Sequence, residues 1–393
     1  MGLTAEYPNL NKALNDYCQK MNGTQFLENA SYFYYLTNGL NGLIHQEFTF
    51  SKLKELEAKS RENSRKLSLE ESLLLVTEYL EERLPQYKDR FLQNLKDGTI
   101  NIIADREEDK NESPHAGKGQ NRHLFASIPL EYTTEDPISI IHEFLHTINC
   151  VYGNSLLRRY VTETISIYFE SDLCQFLKEK GFTEEELIVN DIYRLRDLAS
   201  CTKGLLQIIP ILDSFRLLGP INSDTYDNLV KLKIFPRYSK KEDFYEQVAE
   251  YEKKLADIEE RAKKLHISER KPMTDPLTLF GYIIGSLISY YAIAEGTPEI
   301  HQKMINLNEI VNTDIFTSLR THVASGKKVE AYSSQLSLTE LANIDNLSTI
   351  VEYIGLDITD EEKLKNKLLP PLKKKLQQVK DYSNGQKDIT KEK

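Results

Sequence analysis

The sequence predicts a mainly helical protein with a small β-sheet, and three observations support this. First, it is rich in helix-start signals, in which the side chain of each residue of a pair satisfies a backbone group of the other. The pairs are Ser68 with Glu71, Thr183 with Glu186, Ser337 with Glu340 and Thr359 with Glu362. Second, strand signals are few, and the best are residues 99–105 and 123–132. Third, 40% hydrophobic and 28% charged residues are typical of a globular protein that can bury a core.

The elements follow a simple order along the chain. Helical patterns fill the first part, and two short strands then flank the polar segment "REEDKNESPHAGKGQN", which predicts a loop. A pair of apolar helices and a long charged helix, residues 241–265, come next. We therefore expect four parts: a helical N-terminal part (1–98), a core that holds the strands and the apolar helices (99–300), a helical C-terminal part (301–370) and a basic mobile tail (371–393).

Charge and composition exclude several classes of protein. A net charge of −10 argues against a nucleic-acid partner. The N-terminal residues carry no classical signal peptide, so we expect a cytoplasmic protein or one exported by another route. The four cysteines form no CxxC pair, which favours free thiols in a reducing compartment. Residues 277–296 predict a buried core helix, and a membrane anchor is the alternative.

The stretch "DPISIIHEFLHTINCVYG" carries the clearest chemical signal, an HExxH motif. Asp136 and Pro137 favour a helix start, so His142 and His146 share one helix face and can bind one tetrahedral zinc. Glu143 lies beside that site without the spacing of a ligand, which suits a general base and acid. A surface helix with solvated histidines is the alternative, but the apolar flanks predict burial.

A catalytic zinc needs a third protein ligand, and the next helix offers one. "RRYVTETISIYFESDL" is mostly apolar, and it follows a short turn around Gly153. Glu163 lies there between Val161 and Ile165, so an antiparallel helix can return its carboxylate to the metal. The sequence thus predicts one zinc ion per chain, held by His142, His146 and Glu163.

Four blocks, in order between about residues 100 and 295, resemble the thimet oligopeptidase and oligoendopeptidase F family. They are "SPHAGKGQNR", "HLFASIPLEYTTEDPISIIHEFLH", "VTETISIYFE" and "LTLFGYIIGSLISYYA". The resemblance implies a gluzincin-type metallopeptidase fold, with helical lobes around an active-site cleft. It also implies that Tyr282 faces the substrate, where it can donate a hydrogen bond to the oxyanion. The strand near 124–132 would be the edge that pairs with an extended peptide.

The sequence departs from the family pattern in ways that affect the site. Leu145 and Asn149 stand where the family has glycine and histidine, and "ERKPMTDPLTLF" lacks the family's tyrosines. Ile167 replaces the aspartate that thermolysin-like enzymes use, so another acceptor must orient His142. Ser166 and Glu170 are the candidates. In the polar loop, His115, Gly117 and Gly119 could close over a bound peptide, and an ordinary surface loop is the alternative.

These observations predict a zinc-dependent endopeptidase with Glu143 as its general base. Its substrate would be short peptides or one specific protein, as for a secreted bacterial effector. A catalytically weakened peptidase-fold binding protein is the alternative, because the zinc residues are intact while the family's tyrosines are missing.

Overall fold

Helices account for most of the chain in the computed structural model, which confirms the predicted fold class. The structure describes residues 6–21, 30–103, 114–118, 124–149, 156–232, 240–264, 276–311, 354–356 and 361–391. Two of the predicted capping pairs form: Ser68 accepts from the Glu71 backbone, and Thr183 accepts from that of Glu186. The pairs of Ser337 with Glu340 and of Thr359 with Glu362 involve residues outside the described ranges.

The helices have the following bounds: α1 Pro8–Met21, α2 Ala30–Glu47, α3 Phe50–Asn63, α4 Leu69–Arg83, α5 Pro85–Lys96, α6 Glu135–Asn149, α7 Leu156–Glu179, α8 Glu184–Leu218, α9 Thr225–Lys231, α10 Lys241–Lys264, α11 Pro276–Glu295, α12 Pro298–Val311 and α13 Glu361–Lys391. The strands are β1 Ile100–Ile103, β2 His115–Lys118 and β3 Leu124–Pro129.

The sheet has the order β1-β3-β2, with β3 parallel to β1 and antiparallel to β2. Strand β2 lies within the segment predicted as a loop. Gly117 and Lys118 weaken the strand signal in the sequence, and hydrogen bonding to β3 stabilises the strand instead. The prediction that the 124–132 strand is a free edge is wrong, because β3 is paired on both sides. An incoming peptide strand would have to pair elsewhere.

Two compact units form, and they are not the contiguous parts predicted from the sequence. The first comprises Met1–Leu43 and Ala199–Phe280, and the second comprises Ile44–Leu198 and Gly281–Lys393. The reason is that α2, α8 and α11 each pass from one unit into the other, so no boundary coincides with a linker.

In the first unit, α1 packs against α10. The carboxylate of Glu252 accepts hydrogen bonds from the backbone N–H groups of Asn9 and Leu10, at 3.3 and 2.7 Å. It therefore satisfies donors that the first turn of a helix leaves unpaired. Asn11 exchanges two hydrogen bonds with the backbone of Ile221, at 2.8 and 3.0 Å.

In the second unit, α6 forms the centre of the core. It contacts α7, α4, α12 and β3. Its apolar side chains Ile140, Ile141, Phe144 and Leu145 are fully buried, and Phe144 meets Phe91 edge to face with ring centroids 5.1 Å apart. The HExxH helix is therefore buried on most of its surface, and the alternative of a surface helix is excluded for this segment.

Helix α11 covers the apolar segment for which the sequence offers a buried core helix or a membrane anchor. Within the described ranges, no helix combines the length and the apolarity needed to cross a membrane. Its residues Ile283, Leu287 and Ile288 are buried in the protein.

The predicted mobile tail is wrong for residues 371–391, which continue helix α13. Leu364, Leu368, Leu372 and Leu376 recur at four-residue intervals and are buried. This periodicity is that of one helix face, and the surrounding lysines obscured it in the sequence. Lys375 adds an ion pair to Asp191 of α8 at 2.8 Å.

Replacing Leu372 with alanine should therefore destabilise the protein, by roughly 2 to 5 kcal/mol for a fully buried leucine. Lys374→Ala, at an exposed position two residues away, should change the free energy of unfolding by less than about 0.5 kcal/mol. Urea unfolding measures both. Equal stability of the two variants would show that this segment is a mobile tail after all.

Candidate metal centre

The turn between β3 and α6 sets the direction of the HExxH helix. The carboxylate of Asp136 accepts backbone hydrogen bonds from Glu131 at 2.8 Å and Thr133 at 3.2 Å. Asp136 thus lies inside the first turn and stabilises the preceding loop, so its predicted role as the helix cap is wrong. The Thr133 hydroxyl instead accepts from the Glu135 N–H, at 3.3 Å.

A bidentate ion pair anchors the same end of α6 to α3. Arg61 of α3 donates to Glu135 at 2.7 and 2.9 Å. The guanidinium also contacts Glu57 of its own helix at 3.0 Å. Because Arg61 presents a rigid fork to Glu135, it restrains the start of the helix as well as stabilising it.

The two motif histidines converge as their spacing predicts. Their Nε2 atoms lie 2.9 Å apart, and the rings meet edge to face with centroids separated by 4.5 Å. Both side chains are largely buried, with exposed fractions of 10% for His142 and 16% for His146. The facing nitrogens therefore present two lone-pair donors to one small volume.

Helix α7 brings Glu163 to the same point. Its carboxylate oxygens lie 3.5 Å from Nε2 of His146 and 3.8 Å from Nε2 of His142. The three side chains offer ligand atoms that all lie within 4.8 Å of one another. The structure thus brings together the three residues that the sequence predicted as metal ligands.

The electrostatics of this cluster fit a cation. Burial raises the pKa of Glu163 to about 7, and nearby Glu143 adds to that shift. Burial also lowers the pKa of His146 well below its usual value, so its imidazole is neutral. One Glu163 oxygen, Oε2, is buried without a hydrogen-bond partner. Two imidazoles and a carboxylate are the ligand set of catalytic zinc sites, so these residues fit zinc.

Glu170 orients the first histidine. Its Oε1 contacts Nδ1 of His142, on the side of the ring opposite to the facing nitrogens. Burial opposes protonation of His142, but the charge and hydrogen bond of Glu170, together with the charge of Glu143, outweigh it and raise the histidine pKa. Of the two predicted candidates, Glu170 makes this contact. The Ser166 hydroxyl is buried and makes no hydrogen bond among the described residues.

Tyr282 reaches the site because α11 approaches α7 closely. Gly285 permits this approach, since a Cβ there would lie 3.1 Å from the backbone nitrogen of Thr164. The Ser289 hydroxyl then donates to the Thr164 carbonyl at 2.9 Å. Tyr282, one turn before Gly285, lines a cavity with His142 and Glu143. The charge of Glu163, followed by burial, raises its pKa well above the usual value, so Tyr282 keeps its proton.

Helix α8 supplies residues that sequence reasoning missed. Tyr193, Arg194 and Asp197 line the same cavity. The charge of Asp197, followed by burial, raises the pKa of Tyr193, which is therefore a second protonated hydroxyl in the cavity. A signal was present, because Arg194 and Asp197 stand among Ile192, Leu195 and Leu198 in an otherwise buried part of the helix. Charged groups in such a pattern need partners.

His115 and Gly117 lie in β2, opposite Ser127 and Phe125 of β3, and Gly119 falls outside the described residues. Pro114, which directly precedes β2, lines the cavity. The backbone of β2 therefore begins beside the site, and closure of this segment over a peptide stays a prediction.

Comparison with known proteins places the chain in no family. No protein-family model matches it, and no curated protein matches it significantly. Among solved structures it is similar to one titled "Crystal structure of putative peptidase from Chlamydophila abortus", at 14% identity and a TM-score of 0.43. The similarity covers 95% of this chain and 60% of that one, so the chain spans less than two thirds of that protein's length.

The pKa of Glu163 predicts a pH dependence for the metal-free protein. A carboxyl whose folded-state pKa is raised to about 7 contributes stability below its unfolded pKa, and loses it as pH rises through 7. Glu163→Gln should therefore stabilise the chelator-treated protein at about pH 8 relative to wild type, by on the order of 1 to 3 kcal/mol, and much less at about pH 5.

Thermal unfolding of both proteins across this pH range measures the difference. Glu295→Gln, at an exposed position near the end of α11, is the control and should unfold at the same temperature as wild type at each pH. A difference between wild type and Glu163→Gln that is independent of pH would contradict the raised pKa.

Proposed function

We propose that the protein is a zinc-dependent endopeptidase that binds one zinc ion per chain. The observation that carries this proposal is the convergence of His142, His146 and Glu163, with Glu143 lining the same cavity as His142. The sequence resemblance to the thimet oligopeptidase and oligoendopeptidase F family also supports it.

The chain supplies a group for each step of peptide hydrolysis. Bound zinc would contribute Lewis-acid polarisation of water and of the scissile carbonyl. Glu143 takes a proton as the water oxygen adds to the carbonyl carbon, and delivers it to the nitrogen as the C–N bond breaks. Tyr282 keeps its proton, so it can donate a hydrogen bond to the carbonyl oxygen as negative charge develops there.

One residue of α8 can take over a role of the tyrosines that the family has and this chain lacks. Tyr193 lines the cavity as a protonated hydroxyl and can act as a second donor to the substrate. This supports catalysis over the alternative of a weakened peptidase-fold protein that only binds its partner.

The proposed substrate belongs to one of two classes, short peptides or one specific protein. Short peptides are the family's substrates, whereas one specific protein would suit an effector with an altered site. Digestion of a random peptide library and of a cell lysate in parallel distinguishes them, because broad peptide cleavage without a discrete protein target excludes the narrow specificity.

Purified protein should contain about one zinc ion per chain, and His142→Ala or His146→Ala should abolish it, because a catalytic site has only three protein ligands. Elemental analysis after exchange into metal-free buffer measures this. The matched control is His301→Ala, which removes a histidine bonded to Tyr168 at 2.9 Å outside the cluster and should keep the metal. Zinc content that is the same in all variants would refute the site.

Glu143→Gln should fold, retain zinc and lose peptide cleavage by roughly a hundred- to ten-thousand-fold, because the amide keeps the size but cannot accept the proton. Cleavage of a fluorogenic peptide mixture and zinc content are measured on the same sample. Glu185→Gln, at an exposed position of α8, should keep wild-type activity.

The outcomes separate the two functions. If Glu143→Gln cleaves at the wild-type rate, the activity does not come from this site and the protease proposal fails. If the wild type binds zinc and peptide but cleaves no peptide, the binding protein is the correct function.

A further inference from the structure

An arginine lies behind the candidate metal centre without being one of its ligands. Arg194 of α8 is 7% exposed, and it meets Glu170 of α7, whose exposure is 1%. Its Nε donates to Oε2 of Glu170 at 2.7 Å, and its Nη2 donates to Oε1. The same Oε1 contacts Nδ1 of His142, and Arg194 Nη2 lies 3.4 Å from that nitrogen.

We propose that Arg194 is a positioning residue for the metal site, which acts on His142 through Glu170. This inference rests on the proposed zinc site, and it assigns a role to a residue of a helix that supplies no metal ligand. Arg194 would fix the plane of the Glu170 carboxylate, and Glu170 would fix the ring of His142.

The direction of each hydrogen bond between these three side chains follows from which groups can donate and which can only accept. Arginine only donates and an ionised carboxylate only accepts, so Glu170 must receive its hydrogen bond from His142 Nδ1. The proton of the neutral imidazole is then on Nδ1, and the lone pair is on Nε2. Nε2 is the nitrogen that faces His146 and Glu163. Glu170 therefore selects the tautomer that can bind a metal.

Glu170 needs a rigid partner to hold this position. Three carboxylates, Glu143, Glu163 and Glu170, crowd around the histidines, and an uncompensated buried carboxylate is costly. The guanidinium fork of Arg194 engages both Glu170 oxygens at once, which fixes orientation as well as charge. Lysine at this position would preserve the charge but contact the carboxylate as a single point.

Arg194 also lines the cavity, which suggests a competing role as a direct contact for a substrate carboxylate. The two roles differ in what they change. A substrate contact alters the KM of cleavage and leaves metal affinity unchanged, whereas a positioning residue alters metal affinity in the absence of substrate.

The chain contains a matched control two residues further along α8. Arg196 makes an ion pair through one nitrogen with Glu57, a buried carboxylate, with Nη1 and Oε2 2.5 Å apart. Arg196 does not line the cavity of the metal centre. Arg196→Met thus removes an arginine from a buried ion pair on the same helix without touching the Glu170–His142 contact.

The experiment measures the zinc Kd of the full chain by competition with a chromogenic chelator, together with the visible spectrum of the Co²⁺-substituted protein. Arg194→Met should weaken zinc binding by on the order of 10- to 100-fold, which is typical for residues that support a ligand, and should shift the Co²⁺ bands. Arg194→Lys should give an intermediate loss. Arg196→Met should lower the melting temperature and leave both metal readouts at wild-type values.

A double-mutant cycle tests whether Arg194 acts through Glu170. Once Glu170→Gln is present, adding Arg194→Met should weaken zinc binding no further, because the contact it supports is already gone. Fully additive losses would overturn the inference.

The remaining outcomes are also decisive. A folded Arg194→Met protein with the wild-type zinc Kd overturns the inference, and an accompanying rise in KM identifies a substrate contact instead. If Arg194→Met does not fold, Arg194→Lys keeps the buried charge, and its wild-type Kd and Co²⁺ spectrum would overturn the inference. A wild-type chain that binds no zinc overturns the proposed function and this inference together.

Discussion

The structure around the candidate centre depends on the cost of burying charge between α6 and α7. Glu163 faces two imidazoles in a space from which water is largely excluded, so its pKa rises to about 7 while that of His146 falls. Without a cation, burial favours the neutral forms of Glu163 and His146. A divalent cation reverses this balance, because it interacts with the carboxylate and with both imidazole lone pairs. The same burial that makes the metal-free site unfavourable therefore makes it receptive to metal.

The surrounding elements hold this pair of helices in place by different interactions. Arg61 ties the start of α6 to α3 through its bidentate pair with Glu135. On the other side, the absence of a side chain at Gly285 lets α11 approach α7 at Thr164, and this closeness places Tyr282 on the cavity. The Arg61–Glu135 ion pair thus restrains the start of α6, and Gly285 sets how closely α11 approaches α7.

Helix α8 connects the candidate metal centre to other helices of the second unit. Arg194 meets Glu170 on the buried side of α7, while Asp191 of the same helix meets Lys375 of α13. Arg196 pairs with Glu57 of α3. Successive turns of α8 thus make ion pairs with three other helices, so the geometry of a small site depends on residues that no motif identifies. Buried ion pairs of this kind constrain orientation more reliably than they add stability.

The sequence by itself determined the helical class, two strands and the residues of a possible metal site, because these follow from local rules. Four-residue spacing places His142 and His146 on one helix face, and apolar flanks bury that face. Glu170 was one of two candidates for the acceptor that orients His142, since its spacing from Glu163 places both residues on the same face of one helix. Only the tertiary structure decided the rest. Strand β2 depends on pairing with β3, α13 depends on packing of its leucines, and Arg194 comes from a distant helix. Such contacts join residues far apart in sequence, and local periodicity carries no information about which distant partner a side chain will meet.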